Sequence, residues 1–316
     1  MKLTSKTIKE LAASTGIDRC GIVRAVDLPD EEDRFREWLA RGYQASMAWI
    51  EREPEKRADP RILFPGCRSV IAVALNYFTP HEHDADTAKG KISRYAWGDD
   101  YHDVFRDKLK LLVEKIHEIE PDIKTKICVD TTPFMDKAWA VRAGIGWLGK
   151  SSNVITTDLG SWMFLGAILV DVELEYDDLV VADHCGTCTA CLDACPTKAI
   201  TEPYVVDAAK CISYATIELR DEEMPPEIGA KLDGWLYGCD ICQDVCPWNR
   251  FEKPTAESRF EPRERETSLS LGRVANLEHE DYVVRFRKSA IKRAKLSGLK
   301  RNARALATNT TPPQTL

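Results

Sequence analysis

The sequence feature that most constrains this chain is a run of four cysteines, CGTCTACLDACP, at residues 185–196. Its spacing, C-x2-C-x2-C-x3-C followed by proline, is the bacterial ferredoxin pattern in which thiolates hold a [4Fe–4S] cluster. An incomplete copy of the run, CDICQDVCPWN, follows at 239–249. In two-cluster ferredoxins the fourth cysteine of such a run ligates the other cluster. The two runs therefore predict a pair of clusters that lie close together.

The second run lacks its first cysteine, because position 236 is leucine. The remaining nearby cysteine is Cys211, and we assign it to that place. The crossed ferredoxin pattern then gives two ligand sets: Cys185, Cys188, Cys191 and Cys246 for one cluster, and Cys195, Cys211, Cys239 and Cys242 for the other. Structural zinc is the alternative, but zinc ribbons pair two C-x2-C knuckles and do not need this run.

The rest of the sequence indicates a reducing compartment. Eight of the 11 cysteines fall at ligand spacings, and the others, Cys20, Cys67 and Cys128, have apolar neighbours that favour small buried side chains. The amino-terminal sequence lacks the apolar run of a signal peptide. The sequence also contains no run of eighteen or more apolar residues, which is the length that a membrane-spanning helix needs. We therefore expect a cytoplasmic protein without disulfides and without a membrane anchor.

Strand and helix patterns alternate irregularly over residues 1–175, which favours an α+β layered domain. Helices are predicted at 4–16, 31–42, 99–121 and 133–144, strands at 21–26, 68–78 and 123–130, and a hairpin at 153–174. The polar stretch 79–93 is predicted to be a mobile loop. Residues 176–262 form a ferredoxin-type domain, 263–306 a basic helical segment, and 307–316 a disordered tail.

Nucleotide-binding motifs are absent or out of context. No G-x-G-x-x-G follows a strand and opens a helix, so a Rossmann site is not supported. The stretch GIGWLGKS at 144–151 satisfies the Walker A pattern, but it follows a predicted helix and leads into a strand. A P-loop has the opposite order. The glycines therefore indicate either a packing turn or a turn that holds another cofactor.

Charge is distributed unevenly along the chain. The formal net charge is −7, yet residues 285–306 hold nine Lys and Arg residues and no acid. Such a segment is typical of binding to nucleic-acid phosphates, which depends on salt concentration and does not depend on the base sequence. It also fits a solvated amphipathic helix whose buried stripe would be Ala290, Ile291, Ala294 and Leu299. The two interpretations are compatible.

Seven segments spread over residues 1–306 resemble the epoxyqueuosine reductase family. They are PEKRADPR (54–61), SRYAWGDDYH (93–102), VDTTPFMDKAWAVRAGIGWLGK (129–150), GSWMFLGAIL (160–169), CGTCTACLDACPTKAI (185–200), DAAKCISYATIE (207–218) and YGCDICQDVCPWNR (237–250). The resemblance implies reduction of epoxyqueuosine at the wobble position of tRNA, with electrons passing through two [4Fe–4S] clusters to base-off cobalamin. Some members add a helical-repeat tail for RNA, and this chain has at most the beginning of it.

The resemblance implies that Asp130, in the VD motif, donates the proton that the opened epoxide oxygen needs. The residue ends a predicted strand, and burial would raise its pKa toward that of a working acid. The competing interpretation is an N-cap for the helix 133–143, a place that Thr131 or Thr132 can also fill. Asp136, inside that helix, is the rival acid. His102 is interpreted as structural, because the family binds cobalamin without a protein histidine.

The resemblance also implies a set of cobalamin contacts: Arg57, Ser93, Asn153, Val154, Leu165 and Ile168. Each has a plainer alternative. Arg57 can be a solvated surface charge, and Leu165 and Ile168 can be core residues. The expected partners are tRNA, held by its anticodon stem-loop, and a low-potential electron donor, with the enzyme acting as a monomer.

Two other functions compete with this one. A reductive dehalogenase-like enzyme would use the same cofactors on a small organohalide, but it would carry an export signal and no basic RNA surface. A ferredoxin-type electron carrier would leave the whole of residues 1–175 without a role. Absorption bands of cobalamin beyond those of the clusters would separate an enzyme from a carrier.

Overall fold

The computed structural model describes residues 3–177 and 179–310. Its helices are α1 Ser5–Ser14, α2 Pro29–Ala40, α3 Pro54–Ala58, α4 Pro60–Leu63, α5 Tyr101–Ile119, α6 Asp136–Arg142, α7 Ala190–Ala194, α8 Ile212–Ile217, α9 Pro226–Gly229, α10 Ile241–Asp244, α11 Leu271–Ala275, α12 His279–Arg285 and α13 Lys295–Thr310. Its strands are β1 Arg19–Arg24, β2 Ser69–Asn76, β3 Lys89–Ile92, β4 Thr125–Cys128, β5 Trp147–Leu148, β6 Val154–Ile155, β7 Met163–Val170, β8 Ile200–Glu202, β9 Val205–Val206, β10 Trp235–Tyr237 and β11 Ser268–Ser270.

The amino-terminal half is built around a four-stranded antiparallel sheet of order β1-β2-β7-β4. All eight residues of β2 are buried, because the sheet is covered on both faces. Ile71, Val73 and Leu75 point into one core, which includes residues of α1 and α5. The alternate residues of β2 point into a second core, which includes residues of α6. This period of two gives a three-layer arrangement in which the sheet is the rigid middle layer.

Helix α5 shows how local sequence sets the geometry near the site. The Asp100 side chain caps its amino terminus by accepting a hydrogen bond from the His102 N–H, and Pro121 follows its last turn. Val104, Phe105 and Leu109 are among the residues that recur at helical spacing on its buried face. The first turn of α5 is thereby fixed beside the end of β4.

A second sheet of order β10-β3-β11 lies in the carboxyl-terminal half, although β3 comes from the amino-terminal half of the chain. β3 pairs in parallel with β10 and antiparallel with β11. Ile92, Ala96 and Trp97 belong to the core of this half, and Ala45 and Met47 pack against it. Segments from residues 1–175 therefore form part of the cysteine-rich half, so the two predicted domains are interleaved.

Comparison with the sequence predictions shows where pattern reasoning succeeds. The helices α1, α2 and α5 and the strands β1, β2 and β4 are confirmed. The predicted mobile loop at 79–93 is wrong over its last part, because β3 is the central strand of the second sheet. The predicted hairpin at 153–174 is also wrong, since β6 pairs with β5 while β7 pairs with β2 and β4.

The carboxyl-terminal segment is helical as expected, but it begins with the short strand β11. Ala290, Ile291, Ala294 and Leu299 are all buried, which confirms the predicted apolar stripe. Helix α13 continues to Thr310, so residues 307–310 are helical where a disordered tail was expected. The rest of that predicted tail, 311–316, lies outside the described residues. Among the described residues, no helix has the length and apolarity that a membrane crossing requires.

Candidate active site and cluster centre

The predicted cluster ligands converge on two adjacent places. Cys191 lies in α7 and Cys242 in α10, and these two short helices pack together. Cys185, Cys188, Cys191 and Cys246 line one cavity, which Cys242 also touches. All eleven cysteines are free thiols. The thiols of Cys185 and Cys188 lie near enough to Cys246 to add to the rise in its pKa that burial produces. This is the first of the two predicted sets.

The second predicted set is gathered in the same way. Burial raises the pKa of Cys242, and the nearby Cys211 and Cys195 thiols raise it further. The pKa of Cys239 is likewise raised, mainly by burial and further by the nearby Cys211 and Cys242 thiols. The electrostatic influence of these thiols on one another indicates that they lie near each other. Cys191, of the first set, also raises the pKa of Cys242, so the two sets are neighbours.

Backbone geometry brings Cys239 into this position. The preceding residue, Gly238, has φ +70°, a left-handed conformation that favours glycine. A Cβ atom there would fall 2.4 Å from the Cβ of Ser93. Leu236, at the position where the second run lacks its first cysteine, is fully buried in β10.

Polar groups already point at the sulfur atoms and at their loops. The Ala199 N–H donates to Cys195 Sγ at 3.2 Å, and Asn153 Nδ2 lies 4.0 Å from Cys242 Sγ. Lys150 Nζ donates to the carbonyl oxygens of Gly186 and Cys188 at 2.6 and 3.0 Å. The lysine of the Walker A-like stretch therefore holds the loop of the first cysteine run. Sequence reasoning missed this role.

Within residues 3–177 and 179–310, no three His, Cys, Asp or Glu side chains are arranged to hold a single metal ion. Four thiolates around an iron–sulfur core stand further apart than ligands of one tetrahedral zinc ion. The absence of a single-ion arrangement among the described residues is therefore compatible with the predicted clusters.

Asp130 lies on a tight turn directly after β4. Its φ of +41° is unusual for a residue other than glycine, and such strain concentrates at functional sites. The side chain is 59% exposed and accepts two hydrogen bonds at Oδ2, from Tyr101 Oη at 2.7 Å and from His102 Nε2 at 2.9 Å. The competing prediction of an N-cap is wrong, because α6 begins at Asp136 and is preceded by Met135.

His102 links two carboxylates. Its Nδ1 lies 2.7 Å from Asp100 Oδ1, while Nε2 faces Asp130. Its ring stacks on Tyr101 with centroids 4.0 Å apart, and Tyr101 stacks on Phe164 at 4.4 Å. The sequence interpretation of His102 as merely structural is therefore incomplete. The i, i+2 spacing of Asp100 and His102 at a helix start was the signal available in the sequence.

His102 and Asp130 shift each other's pKa in opposite directions. Burial lowers the pKa of His102, but the hydrogen bonds that His102 makes to the Asp100 and Asp130 carboxylates outweigh burial and raise that pKa to about 9. Burial raises the pKa of Asp130, but hydrogen bonds from His102 and Tyr101 outweigh it and lower that pKa below its ordinary value. The expectation that burial alone would make Asp130 a working acid is thus corrected by its two donors.

Asp136 has the opposite electrostatics. Burial, followed by the nearby charge of Asp130, raises the pKa of Asp136 well above its ordinary value. Its buried Oδ1 has no hydrogen-bond partner among the described residues, and neither has the buried Nε of Arg57. Arg57 also feels the Asp136 charge, and burial lowers its pKa. Two unpartnered buried polar atoms on residues that influence each other electrostatically mark a place where a polar ligand fits.

The other residues expected to contact cobalamin are divided between this place and the protein core. Asn153 and Val154 lie at β6, where Lys137 Nζ donates to the carbonyl oxygen of Ser152 at 2.6 Å. Ser93 is buried and donates to Asp240 Oδ1. Ile168 is fully buried in β7, as its alternative interpretation as a core residue expects, and Leu165 on the same strand is partly exposed.

The basic segment 285–306 is only partly available to phosphates. Arg285 pairs with Glu266, and Arg293 with Glu218. Arg301 is 3% exposed and donates to the backbone carbonyls of Ala215, Leu219 and Asp221, so its role is structural. Cations without an ion pair among the described residues are Arg287, Lys288, Lys292, Lys295, Lys300 and Arg304.

Comparison with known proteins identifies relatives over nearly the whole chain. Residues 57–131 match the family model described as "Epoxyqueuosine reductase QueG, DUF1730", and residues 184–249 match that of a "4Fe-4S double cluster binding domain". The epoxyqueuosine reductase of Synechocystis sp. is 50% identical over 288 residues, which cover 90% of this chain and 99% of that protein.

Solved structures give the same result. A crystal structure of epoxyqueuosine reductase with a tRNA-Tyr epoxyqueuosine-modified stem loop has TM-score 0.89 and 32% identity, covering 96% of this chain and 80% of that one. The Bacillus subtilis enzyme, in a structure whose aspartate-bearing catalytic loop is swung out of the active site, has TM-score 0.88 and 30% identity. That match covers 96% of this chain and 81% of the solved chain.

Proposed function

Since the chain belongs to the epoxyqueuosine reductase family, we infer that it is an oxidoreductase that reduces epoxyqueuosine in tRNA to queuosine. The observation that carries this inference is the likeness along the whole chain, 50% identical to a relative of which it covers 99%. The fold is also similar, over 96% of this chain, to an epoxyqueuosine reductase whose structure was solved with an epoxyqueuosine-modified tRNA stem loop. We place the reaction at the wobble position and in the cytoplasm, where tRNA is modified.

The chemistry requires electrons and protons in equal number. Converting an epoxide to an alkene with loss of its oxygen as water consumes two electrons and two protons. Base-off cobalamin, when bound, would supply the cobalt centre for reduction at the epoxide carbon, and the clusters, when bound, would supply single electrons. The residues of this chain must then hold these groups, orient the nucleotide and deliver the protons.

The two cysteine sets fit the two clusters. We propose Cys185, Cys188, Cys191 and Cys246 as the ligands of one and Cys195, Cys211, Cys239 and Cys242 as the ligands of the other. The support is the gathering of each set around a common centre, together with the family match of residues 184–249. Because Cys191 and Cys242 also approach each other, the clusters would lie close enough for electron transfer between them.

The polar residues near α6 fit cobalamin. We propose that Arg57, Asn153, Val154 and Leu165 line its site, because the buried Arg57 Nε and the neighbouring Asp136 Oδ1 have no partner among the described residues. A large polar cofactor would satisfy both atoms. Asn153 would stand between that cofactor and the second cysteine set, since its amide nitrogen lies 4.0 Å from Cys242 Sγ.

Asp130 is the proposed group that hands protons to the epoxide oxygen. It lowers the cost of opening the ring by donating a proton as negative charge develops on that oxygen. We propose His102 as the source from which Asp130 is protonated, because His102 Nε2 lies 2.9 Å from Asp130 Oδ2. The exposed face of Asp130 is left for the substrate, and Asp100 keeps the imidazole oriented.

Turnover tests this proposal. The protein, reconstituted with iron, sulfide and cobalamin, is mixed with a low-potential reductant and an epoxyqueuosine-containing anticodon stem-loop. Mass spectrometry of the digested RNA should show loss of one oxygen from the modified base, dependent on cobalamin. Asp130→Asn should slow the reaction about 100- to 10,000-fold, the usual contribution of a positioned general acid.

Asp136→Asn is the comparison variant, because it removes the rival acid while keeping the side-chain volume and the Oδ1 atom proposed to meet cobalamin, and its bound cobalamin is measured beside its turnover. We expect it to change turnover far less than Asp130→Asn does. If Asp136→Asn abolishes turnover while Asp130→Asn leaves it intact, then Asp136 is the proton donor. No conversion by wild-type enzyme with all three cofactors bound would refute the proposed reaction.

A further inference from the structure

An exposed tryptophan lies beside the proposed active site and has no part in the function proposed above. Trp49 is 44% exposed, although large aromatic residues are usually covered in a folded chain. The Arg293 guanidinium lies over its ring, with Cζ 5.7 Å from the ring centroid. Arg293 in turn lies near enough to Asp130 to contribute to the lowered pKa of that carboxyl. Trp49 and Arg293 together are called the Trp49 platform.

The Trp49 platform is held rigidly from below. Ser46 binds Tyr214 twice, with its Oγ 2.6 Å and its backbone nitrogen 3.2 Å from the tyrosine oxygen. Met47 packs against the carboxyl-terminal core, and the Tyr43 carbonyl accepts a hydrogen bond from the Ala208 N–H at 2.9 Å. A ring presented by a fixed turn loses little conformational entropy when a ligand covers it.

The plane of the arginine is fixed as well. Arg293 donates to both carboxylate oxygens of Glu218, from Nε and from Nη2, each at 2.7 Å. Because this bidentate ion pair with Glu218 already neutralises the Arg293 guanidinium, binding phosphate is not the main role of Arg293. A flat guanidinium beside an exposed indole is instead the surface on which an unpaired nucleobase stacks.

We propose that the Trp49 platform stacks an unpaired nucleobase of the tRNA anticodon loop next to the reacting nucleotide, and so holds that nucleotide turned toward Asp130. The proposal rests on the tRNA substrate proposed above and adds the residues that orient it. RNA fits this surface because Arg293 belongs to the basic segment, where Lys292 and Lys295 flank it without ion pairs among the described residues. The platform would contact a base by stacking, whereas Lys292 and Lys295 would contact only phosphates.

Binding of RNA, measured without turnover, tests the proposal. Fluorescence anisotropy with a dye-labelled, unmodified anticodon stem-loop gives Kd for the cofactor-loaded protein and its variants. Trp49→Ala should weaken binding roughly 5- to 100-fold, and Trp49→Phe, which keeps a ring, should stay within about threefold of wild type. The slope of log K against log salt should not change, because no phosphate contact is lost.

Phe251→Ala is the matched control. Phe251 is 39% exposed and also lies under an arginine, with Arg250 Cζ 4.6 Å from its ring, but it belongs to the cysteine-rich half beside Trp248. We expect its Kd to equal that of wild type. Unchanged binding by Trp49→Ala, equal weakening by Phe251→Ala, or an altered salt slope would each overturn the proposal. Since the RNA is unmodified, these outcomes do not depend on whether the proposed reaction occurs.

Discussion

Replacing His102 with glutamine tests whether Asp130 receives its proton from the imidazole. The structure raises the pKa of His102 from 6.5 to about 9, although burial opposes the rise. At about 1.36 kcal/mol per pKa unit, this corresponds to roughly 3 kcal/mol in favour of the imidazolium, net of the burial that opposes it. The side chain is 24% exposed, so solvent screens the interaction only in part.

The sign of the pH dependence follows from this rise. His102 stays protonated at neutral pH and loses its proton only as the pH passes about 9. We therefore expect wild-type single-turnover rates to be flat from about pH 6 to 8 and to fall above that pKa. The same rise stabilises the folded state fully below pH about 6.5, and that stabilisation is lost as the pH rises through about 9.

In His102→Gln the amide can still donate a hydrogen bond to Asp130 but holds no transferable proton. We expect the rate at pH 7.5 to fall about 100-fold or more, and to recover toward acidic pH as Asp130 is protonated from solvent. The assay is single turnover with pre-reduced enzyme in excess over stem-loop, from pH 5.5 to 9.5. Asp100→Asn should move the alkaline fall to lower pH, because one of the carboxylates that raise the pKa is gone. A His102→Gln profile that overlays that of wild type refutes the reasoning.

Two further predictions concern the cluster ligands and the basic segment. Cys211→Ser should remove one cluster and keep the other, so iron analysis should show about half the wild-type content, whereas Cys67→Ser should show all of it. Arg301→Met should lower the free energy of unfolding by roughly 3 kcal/mol or more, because several buried carbonyl oxygens lose their donor, and Arg304→Met, at an exposed position of the same helix, should leave thermal unfolding unchanged. Equal iron content in the two cysteine variants, or equal unfolding temperatures in the two arginine variants, would contradict these assignments.

Sequence patterns predict the parts of this molecule that depend on local spacing. The cysteine runs carry their own geometry, because tight turns bring residues three and four apart toward one centre. The buried strand β2 and the long helix α5 follow from periodicity in the same way. The placement of Cys211 with the second run rests on the same spacing argument and stays a prediction.

Features that depend on long-range contacts are invisible in such patterns. β3 is a short polar segment, KGKI, and becomes a central strand only because β10 and β11 supply partners more than a hundred residues away. The pairing of β6 with β5 has the same origin, since two-residue strands carry no periodic signal. The pKa of Asp130 likewise depends on two side chains that another element, α5, provides.

The contacts around α5 also connect the proton-delivering residues to the basic segment. The Asp100 N–H donates to the Lys288 carbonyl oxygen at 2.8 Å. Arg263 joins Asp99 to the carbonyl oxygens of Arg287 and Lys288.

The carboxylate that orients His102 is therefore braced by the backbone from which Arg287 and Lys288 project as unpaired cations. Because packed elements of this kind do not deform continuously, the distance from these cations to Asp130 is set by folding. If the cations bind phosphates as predicted, this interleaved fold would hold one nucleotide of the bound RNA near an acid on a different element.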